Sequence, residues 1–399
     1  MTDINTFDLN AIRQGKTYPI RAHVAPGFEG FASAFLNNFR YDEDQGASAC
    51  AFVDGVMVAE AWGGFRDAKQ QTPWASDTLV CTMSVGKAIA AAAVHLLCER
   101  GELRLDDPIA SYWPEFGQRG KEKILLRWVL DHRAGLPAID DEDPPPGALF
   151  DWEWMTKHLA GQAPEFEPGT AAGYHILTQG FLLGEVVRRA TGKTLAEFVH
   201  EEFGKKLNAD FFFGVPASEI TRCAEVVGMT DPRFTMFDRT LNHKGSLVGR
   251  GILNLLEGVD LNGTQYRTSE ITSANGHGSA RGLATIFSML ANAGVHNEQQ
   301  IMGAQSIRNM NTVQHTLIES VQKRAYNQCS GALRTSYPAT WFGPGANSFG
   351  HHGVGGSVGF SDPDKRVGFA YATSKFHSRG DTGTRSRRLI EAIYEAIEK

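Results

Sequence analysis

An apolar, alanine-rich run over residues 88–98 constrains this chain most, because a surface helix would need a polar face that the run lacks. Residues 81–87 lead into it and Arg100 and Gly101 follow it, which is typical of a buried helix that stops at a glycine. The run has 11 residues and contains His95, well short of the about 20 apolar residues that a bilayer span requires. The sequence therefore predicts a helix inside a globular core, with Ser84 in its first turn, and no membrane span.

The overall composition is that of a globular protein and excludes nucleic acid as a partner. The 399 residues are enough for about two to three domains, and the apolar fraction of 42% is typical of a folded core. Acidic side chains number 45 and basic ones 39, for a net charge of -6. No stretch of lysine and arginine is dense enough to neutralise several phosphates.

Cysteine usage and the N-terminal segment bear on the compartment. The cysteines are odd in number, widely spaced and without a Cys-x-x-Cys pair, which argues against a disulfide framework and a thiolate zinc site. Asp3, Asp8 and Arg13 interrupt the segment where a signal peptide would need a continuous apolar core. We therefore expect reduced thiols and a cytoplasmic protein.

Both ends of the chain predict a helix beside a β-hairpin. Residues 27–39 predict an early helix with an aromatic face, formed by Phe28, Phe31, Phe35 and Phe39. Residues 48–52 and 56–62 flank Asp54-Gly55, a dipeptide that favours a tight hairpin. A second hairpin is predicted from residues 356–361 and 367–373, and a last helix over residues 384–398.

The middle of the chain is different, with irregular proline-rich connections and helical runs such as residues 178–190. We therefore predict an α/β fold of the α+β type, in which an antiparallel sheet is flanked by the N- and C-terminal helices. The sheet domain is expected to be discontinuous, built from residues 1–110 and 280–399. Residues 111–279 are expected to form a mostly helical insert.

Ser84 and Lys87 are the first candidates for chemistry. Residues three apart in a helix lie on one face, so the Lys87 amine can reach the Ser84 hydroxyl. A serine is a weak nucleophile until a base takes its proton, and an apolar helix face can lower the pKa of a lysine far enough for that role. The alternative is that Ser84 only caps the helix with its side chain.

Two other serines compete with Ser84. Ser320 and Lys323 repeat the Ser-x-x-Lys spacing, but in a polar stretch where the lysine would stay solvated and protonated. Ser357 lies in a Gly-x-Ser-x-Gly pattern, the nucleophile elbow of α/β-hydrolases, which needs a helix after it. Here a strand is predicted to follow, so we expect the glycines to permit a tight backbone at a strand edge.

Metal and cofactor sites receive no support from the sequence. No His-Glu-x-x-His motif occurs, and the adjacent His351 and His352 would point to opposite faces of a strand. No phosphate-binding or dinucleotide-binding glycine pattern follows a strand. We expect neither a metal nor a cofactor.

Three stretches together resemble the serine β-lactamase and penicillin-binding-protein superfamily, most closely the class C β-lactamase-like esterases known as family VIII carboxylesterases. They are the Ser84-Val85-Gly86-Lys87 motif, Tyr174-His175-Ile176 after Pro168-Gly169-Thr170, and residues 349–357, which read Phe-Gly-His-His-Gly-Val-Gly-Gly-Ser. Residues 131–136, similar to a His-x-x-Gly-Leu loop, and residues 273–278 add to the resemblance, which covers roughly residues 50–375.

The resemblance implies a serine acyl-enzyme mechanism with Ser84 as nucleophile. Lys87 and Tyr174 would form the proton-transfer pair, and either could be the base. The N–H groups of Ser84 and Val354 would form the oxyanion hole, with Val354 on an edge strand where Gly353 makes room for substrate.

Two departures from the family pattern indicate the substrate. Where penicillin-recognising members usually carry asparagine and lysine, this chain has Ile176 and His351, which would also line the substrate site. An imidazole that is largely neutral at pH 7 replaces a fixed cation for a substrate carboxylate. We therefore predict a carboxylesterase for small, short-chain, uncharged esters. The alternatives are a β-lactamase, D,D-peptidase or acyltransferase on the same scaffold, or a non-catalytic binding descendant.

Overall fold

A large antiparallel sheet dominates the structure, a computed structural model that describes residues 4–228, 238, 240–377 and 382–399. The strands are β1 (Asn5–Arg13), β2 (Lys16–Val24), β3 (Gly46–Val53), β4 (Val56–Gly64), β5 (Val80–Cys81), β6 (Phe211–Phe212), β7 (His277–Gly278), β8 (Val295–His296), β9 (Gln299–Gln300), β10 (Val313–His315), β11 (Asn327–Cys329), β12 (Leu333–Arg334), β13 (Phe349–His352), β14 (Val358–Asp362) and β15 (Val367–Thr373). Ten of them form one sheet in the order β1-β2-β4-β3-β15-β14-β13-β12-β11-β10, and β5, β7 and β6 form a small second sheet.

The α-helices flank this sheet and fill the middle of the chain. They are α1 (Glu29–Tyr41), α2 (Val85–Glu99), α3 (Leu126–Leu130), α4 (Trp152–Gly161), α5 (Thr178–Thr191), α6 (Leu195–Val199), α7 (Thr264–Thr268), α8 (Ala280–Ala291), α9 (Ala304–Met310) and α10 (Gly383–Ile397). Residues 200–205 and 249–253 add short π-helical turns. All ten strands of the large sheet lie outside residues 111–279, the range in which the insert is predicted.

Alternation along the central strands gives the sheet two buried faces. Ala49 and Phe369 point toward α1 and α10, whereas Cys50 and Ala370 belong to the core that contains α2. The first face is covered by the aromatic side of α1 and the apolar side of α10, through Phe31, Phe35, Phe39, Leu389, Ile390 and Ile393. The α+β fold with terminal helices on the sheet is therefore confirmed.

The predicted hairpins form at the predicted places. Asp54 and Gly55 have φ values of 53° and 77°, the left-handed pair that a two-residue turn between β3 and β4 requires. The first hairpin of the chain, β1 with β2, was missed, although Phe7, Leu9 and Ala11 alternate with polar residues. Within the described residues, no helix has both the length and the apolar character needed to cross a bilayer.

Candidate active site

Ser84 lies immediately before α2, at the end of a short turn that follows β5. The Thr82 N–H donates to the Gly276 carbonyl oxygen at 2.8 Å, and Met83 has a φ of 51°, in the left-handed region that a non-glycine residue enters at a cost of about 1 kcal/mol. The helix begins at Val85, and the Ser84 side chain makes no capping hydrogen bond. Ser84 therefore occupies the N-cap position without capping the helix through its side chain, and the hydroxyl is available for other partners.

Lys87 is buried beside Ser84, with only 2% of its surface exposed. Its Nζ lies 3.3 Å from Ser84 Oγ and donates at 2.8 Å to the backbone oxygens of both Ile176 and Ser273. Burial lowers the pKa of Lys87 well below the usual lysine value. A neutral amine has two N–H groups and one lone pair, so the two carbonyls leave that lone pair for the Ser84 hydroxyl.

Tyr174 completes a contact triangle with these two residues. Its phenol hydrogen-bonds with the Ser84 side chain, and Lys87 Nζ lies 5.0 Å from the centre of its ring. Burial raises the pKa of Tyr174 above the usual tyrosine value, and the hydrogen bond with Ser84 opposes this only in part. The fold thus brings together three residues that are up to 90 positions apart in the sequence, and it favours a protonated phenol.

Two buried histidines hold the Tyr174 backbone and ring. His132 packs its ring edge against Tyr174 at 4.7 Å between ring centres, and its Nδ1 accepts from the His175 N–H at 3.2 Å. His175 donates from Nδ1 to the Gly173 oxygen at 2.6 Å and accepts at Nε2 from the Leu136 N–H. Burial lowers the pKa of His175 to about 3 and that of His132 well below its usual range. Both rings are therefore neutral and support Tyr174 through packing and hydrogen bonds.

Glu319 holds the same segment from the other side. Its carboxylate is 5% exposed and accepts three backbone N–H bonds, from Tyr174, Val321 and Gln322. The Tyr174 bond measures 2.9 Å, and the Val321 bond 2.8 Å. A buried carboxylate is stable only with such donors, so the contact ties the 319–322 loop to the tyrosine.

The third stretch of the resemblance brings His351 and His352 to the same site. Both rings line one pocket with their centres 5.6 Å apart, although their pairing partners on β14, Val358 and Gly359, face opposite sides of the sheet. The edge-strand expectation is wrong, since β13 lies between β12 and β14, although β12 pairs only with Phe349 and Gly350.

The loop after β13 meets the Ser84 segment closely. A Cβ on Gly353 would lie 2.2 Å from the Thr82 carbonyl oxygen, so glycine is required for this approach of backbone to backbone. Val354 follows and lines the pocket together with Ser84. In the part of the chain that the structure describes, neither the Ser84 N–H nor the Val354 N–H donates to a protein acceptor.

The pocket around Ser84 has a volume of about 340 Å³ and a mixed lining. Its apolar residues, here named the apolar wall, include Ile176, Leu177, Val248, Ile252, Leu256, Leu261 and Ala274. Its polar residues, here named the polar wall, include Gln322, Arg324, Tyr326, His351 and His352. Arg324 is exposed to solvent, and among the described residues no cluster of His, Cys, Asp or Glu side chains could hold a metal ion.

The two competing serines lie elsewhere in the fold. Lys323 is exposed on a loop, and Ser320 is in a turn, so their spacing does not place them on a helix. Ser357 is in the loop between β13 and β14, where its Oγ accepts from the Thr373 N–H at 3.3 Å. A strand follows it, which contradicts a nucleophile elbow.

A known protein family matches most of this chain. The family model described as Beta-lactamase matches residues 37–393. The chain belongs to the Beta-lactamase family.

Relatives in the Beta-lactamase family include esterases. The esterase/beta-lactamase LipL of Mycobacterium tuberculosis is 28% identical over 364 residues, which cover 88% of this chain and 82% of LipL. The crystal structure of a family VIII carboxylesterase superposes with a TM-score of 0.84 at 33% identity, over 94% of this chain and 98% of the other. A penicillin-binding protein homologue from Caulobacter crescentus gives a TM-score of 0.83 at 32% identity, over the same shares. These likenesses support a serine hydrolase on the β-lactamase fold.

Reasoning from sequence missed three residues of this Beta-lactamase family site. His132 begins the His-x-x-Gly-Leu loop, whose resemblance marked the segment but not the role of the ring. Glu319 and Arg324 carry no sequence signal, because only the fold of the 317–326 loop buries the first and brings the second to the pocket.

Proposed function

We propose that the protein is a carboxylesterase that acts through an acyl-enzyme on Ser84. The observation that carries this proposal is the environment of Lys87, whose amine lies 3.3 Å from Ser84 Oγ while two backbone carbonyls take its other hydrogen bonds. A buried amine held in this way is a base directed at one hydroxyl.

The pKa directions assign the two proton-transfer roles. Burial lowers the pKa of Lys87 and raises that of Tyr174, so at neutral pH the amine is the better base and the phenol keeps its proton. Lys87 therefore takes the Ser84 proton as Oγ attacks the ester carbonyl. Tyr174 is placed to give its proton to the departing alcohol oxygen, because its phenol already hydrogen-bonds with Ser84.

The negative charge that forms on the carbonyl oxygen needs donors that are already in place. The N–H groups of Ser84 and Val354 fit that role, since both belong to residues that line the pocket. When the alcohol leaves, the Lys87 ammonium over the Tyr174 ring carries the proton that restores the phenol. Water then attacks the acyl-enzyme, gives its proton to the same pair, and releases the acid and Ser84.

Uncharged, short-chain esters fit the pocket best. Burial lowers the pKa of His351 well below its usual range, so the ring offers no fixed charge to a substrate carboxylate. Ile176 offers no side-chain hydrogen bond. Arg324 is a cation, but it is exposed, and water screens its attraction for a carboxylate. The volume of about 340 Å³ favours small acyl and alcohol groups.

The test is covalent labelling together with substrate comparison. A fluorophosphonate adduct should map to Ser84 by mass spectrometry and be absent from Ser84→Ala. p-Nitrophenyl butyrate should be hydrolysed with a kcat/KM far above that of nitrocefin at pH 7 to 8. An adduct on Ser357, or nitrocefin turnover equal to that of the ester, would replace the proposal with a different nucleophile or with a β-lactamase.

A further inference from the structure

The hydrogen bonding of His351 fixes which ring nitrogen carries a proton. Its Nδ1 lies 2.7 Å from the His352 backbone oxygen. A carbonyl oxygen has no proton to donate, so Nδ1 must be the N–H donor in this bond. In the neutral ring, Nε2 then carries a lone pair and no proton, so it can only accept a hydrogen bond.

The surroundings of His351 keep the ring neutral. The side chain is 3% exposed, and the titratable groups around it are Lys87 from α2, Tyr174 and His132 from the neighbouring loops, and His352 from its own strand. Burial comes first among the causes that lower the pKa of His351, and a positive charge on His352 or Lys87 would act in the same direction.

The Nε2 lone pair is open to the pocket. In the described ranges, with their gaps at 229–237, 239 and 378–381, this atom has no hydrogen-bond partner. The atom is also not fully buried. The ring lines the pocket and lies nearly parallel to the Tyr174 ring, with 6.2 Å between their centres.

The side of the pocket that His351 occupies corresponds to the alcohol half of an ester. In the proposed reaction, the Tyr174 phenol protonates the departing alcohol oxygen, so the group stacked on Tyr174 lies beside that alcohol. The rest of the polar wall continues there, with the Tyr326 hydroxyl donating to Gln322 Oε1 at 3.0 Å. The apolar wall is left for the acyl chain.

We propose that His351 Nε2 accepts a hydrogen bond from a hydroxyl on the alcohol half of the substrate, so that the enzyme prefers esters of diols and polyols to esters of simple alkanols. This inference rests on the proposed esterase function and names its substrate class. A cation at this position would favour a substrate carboxylate. A nitrogen lone pair does the opposite, because it accepts a hydrogen bond from a substrate O–H and repels a substrate carboxylate.

The test uses esters of equal size. 2-Hydroxyethyl butyrate and propyl butyrate differ by an O–H in place of a methyl group, and 2-fluoroethyl butyrate withdraws electrons without offering a proton. One hydrogen bond in a sheltered site predicts a kcat/KM about tenfold higher for the hydroxyethyl ester than for either analogue.

Variants assign the preference to residue 351. In His351→Leu the ratio of hydroxyethyl to fluoroethyl ester should fall to about one, and in His351→Gln, whose amide oxygen can accept, part of it should return. His351→Lys should instead favour carboxymethyl butyrate. Gln322→Leu is the matched control on the same wall and should keep the preference.

The outcomes separate this inference from the esterase proposal. If no ester is hydrolysed and no fluorophosphonate label reaches Ser84, the proposed function fails. If the esters are hydrolysed with equal kcat/KM in the unmodified protein, only the role of His351 is overturned. A preference that persists in His351→Leu and is lost in Gln322→Leu also overturns it, and assigns the contact to Gln322.

Discussion

Residues 84–87 and residues 320–323 carry the same Ser-x-x-Lys spacing, and the fold places the two lysines in opposite environments. Lys87 is on the first turn of α2, buried, with its amine 3.3 Å from the serine oxygen. Lys323 is on an exposed loop and has a φ of 59°, outside any helix. The comparison shows that the Ser-x-x-Lys spacing brings the serine and lysine side chains together only when the segment is helical.

The second segment still contributes to the site, but through a neighbour. The Glu319 carboxylate just before it accepts the Tyr174 N–H, and the Ser320 N–H donates to the Ala172 oxygen at 2.9 Å. The first Ser-x-x-Lys segment thus supplies the proposed nucleophile and base, and the second holds the tyrosine that faces them.

The largest expected difference in activity is between substitutions of the two serines, Ser84 and Ser320. Ser84→Ala should lower kcat for p-nitrophenyl butyrate by at least about 10⁴-fold, because removing a nucleophile leaves only the binding contributions. Ser320→Ala is the matched variant and should keep most of the activity. Steady-state kinetics on both proteins decide this, and equal losses would remove the distinction between the segments.

Substitutions of the two lysines should differ in kcat by a smaller factor. Lys87→Ala should cost about 10²- to 10⁴-fold in kcat, the size of a general-base contribution, while Lys323→Ala should stay close to the unmodified protein. The double variant Lys87→Ala with Tyr174→Phe should lose far less than the product of the single losses, because the pair acts as a unit. Near-normal kcat in Tyr174→Phe would make that tyrosine structural only.

The pH profile tests the environment of Lys87 without a mutation. The base must be neutral, so kcat/KM should fall about tenfold per pH unit below the folded-state pKa of Lys87. Because burial lowers that pKa from the usual 10.5, activity should reach a plateau at a lower pH than an exposed lysine allows. The raised pKa of Tyr174 should extend the plateau upward. A rate still rising through pH 10.5 would contradict a buried neutral base.

The smallest expected effect concerns Glu319, which lies next to the second segment and holds the Tyr174 backbone. Glu319→Gln replaces one acceptor oxygen by an amide N–H group facing backbone donors, which should cost about 1 to 3 kcal/mol of unfolding free energy. We expect kcat to fall about fivefold with KM nearly unchanged, since a misplaced Tyr174 affects the reaction more than binding. Denaturant unfolding and steady-state kinetics measure both. An altered KM with unchanged kcat would assign Glu319 to the pocket wall instead.

Local patterns were sufficient for much of the fold. The aromatic spacing of α1 and the Asp54-Gly55 turn depend on neighbours in sequence, so hydrophobic periodicity and turn chemistry predicted them. The β1–β2 hairpin also carries a local signal, the alternation of apolar and polar residues in β1. The short strands β10 to β12 have two or three residues each, too few for periodicity to show, and pairing within the sheet forms them.

The sequence by itself determined that Ser84 starts a buried helix with Lys87 one turn on, because both features follow from the composition and spacing of contiguous residues. Only the tertiary structure decided that Lys87 meets two carbonyls from distant loops, that Glu319 is buried beneath Tyr174, and that His351 and His352 share one pocket. Those facts depend on which backbone groups the packed chain brings within hydrogen-bond distance. Burial and proton position are properties of that packing, and no local pattern encodes them.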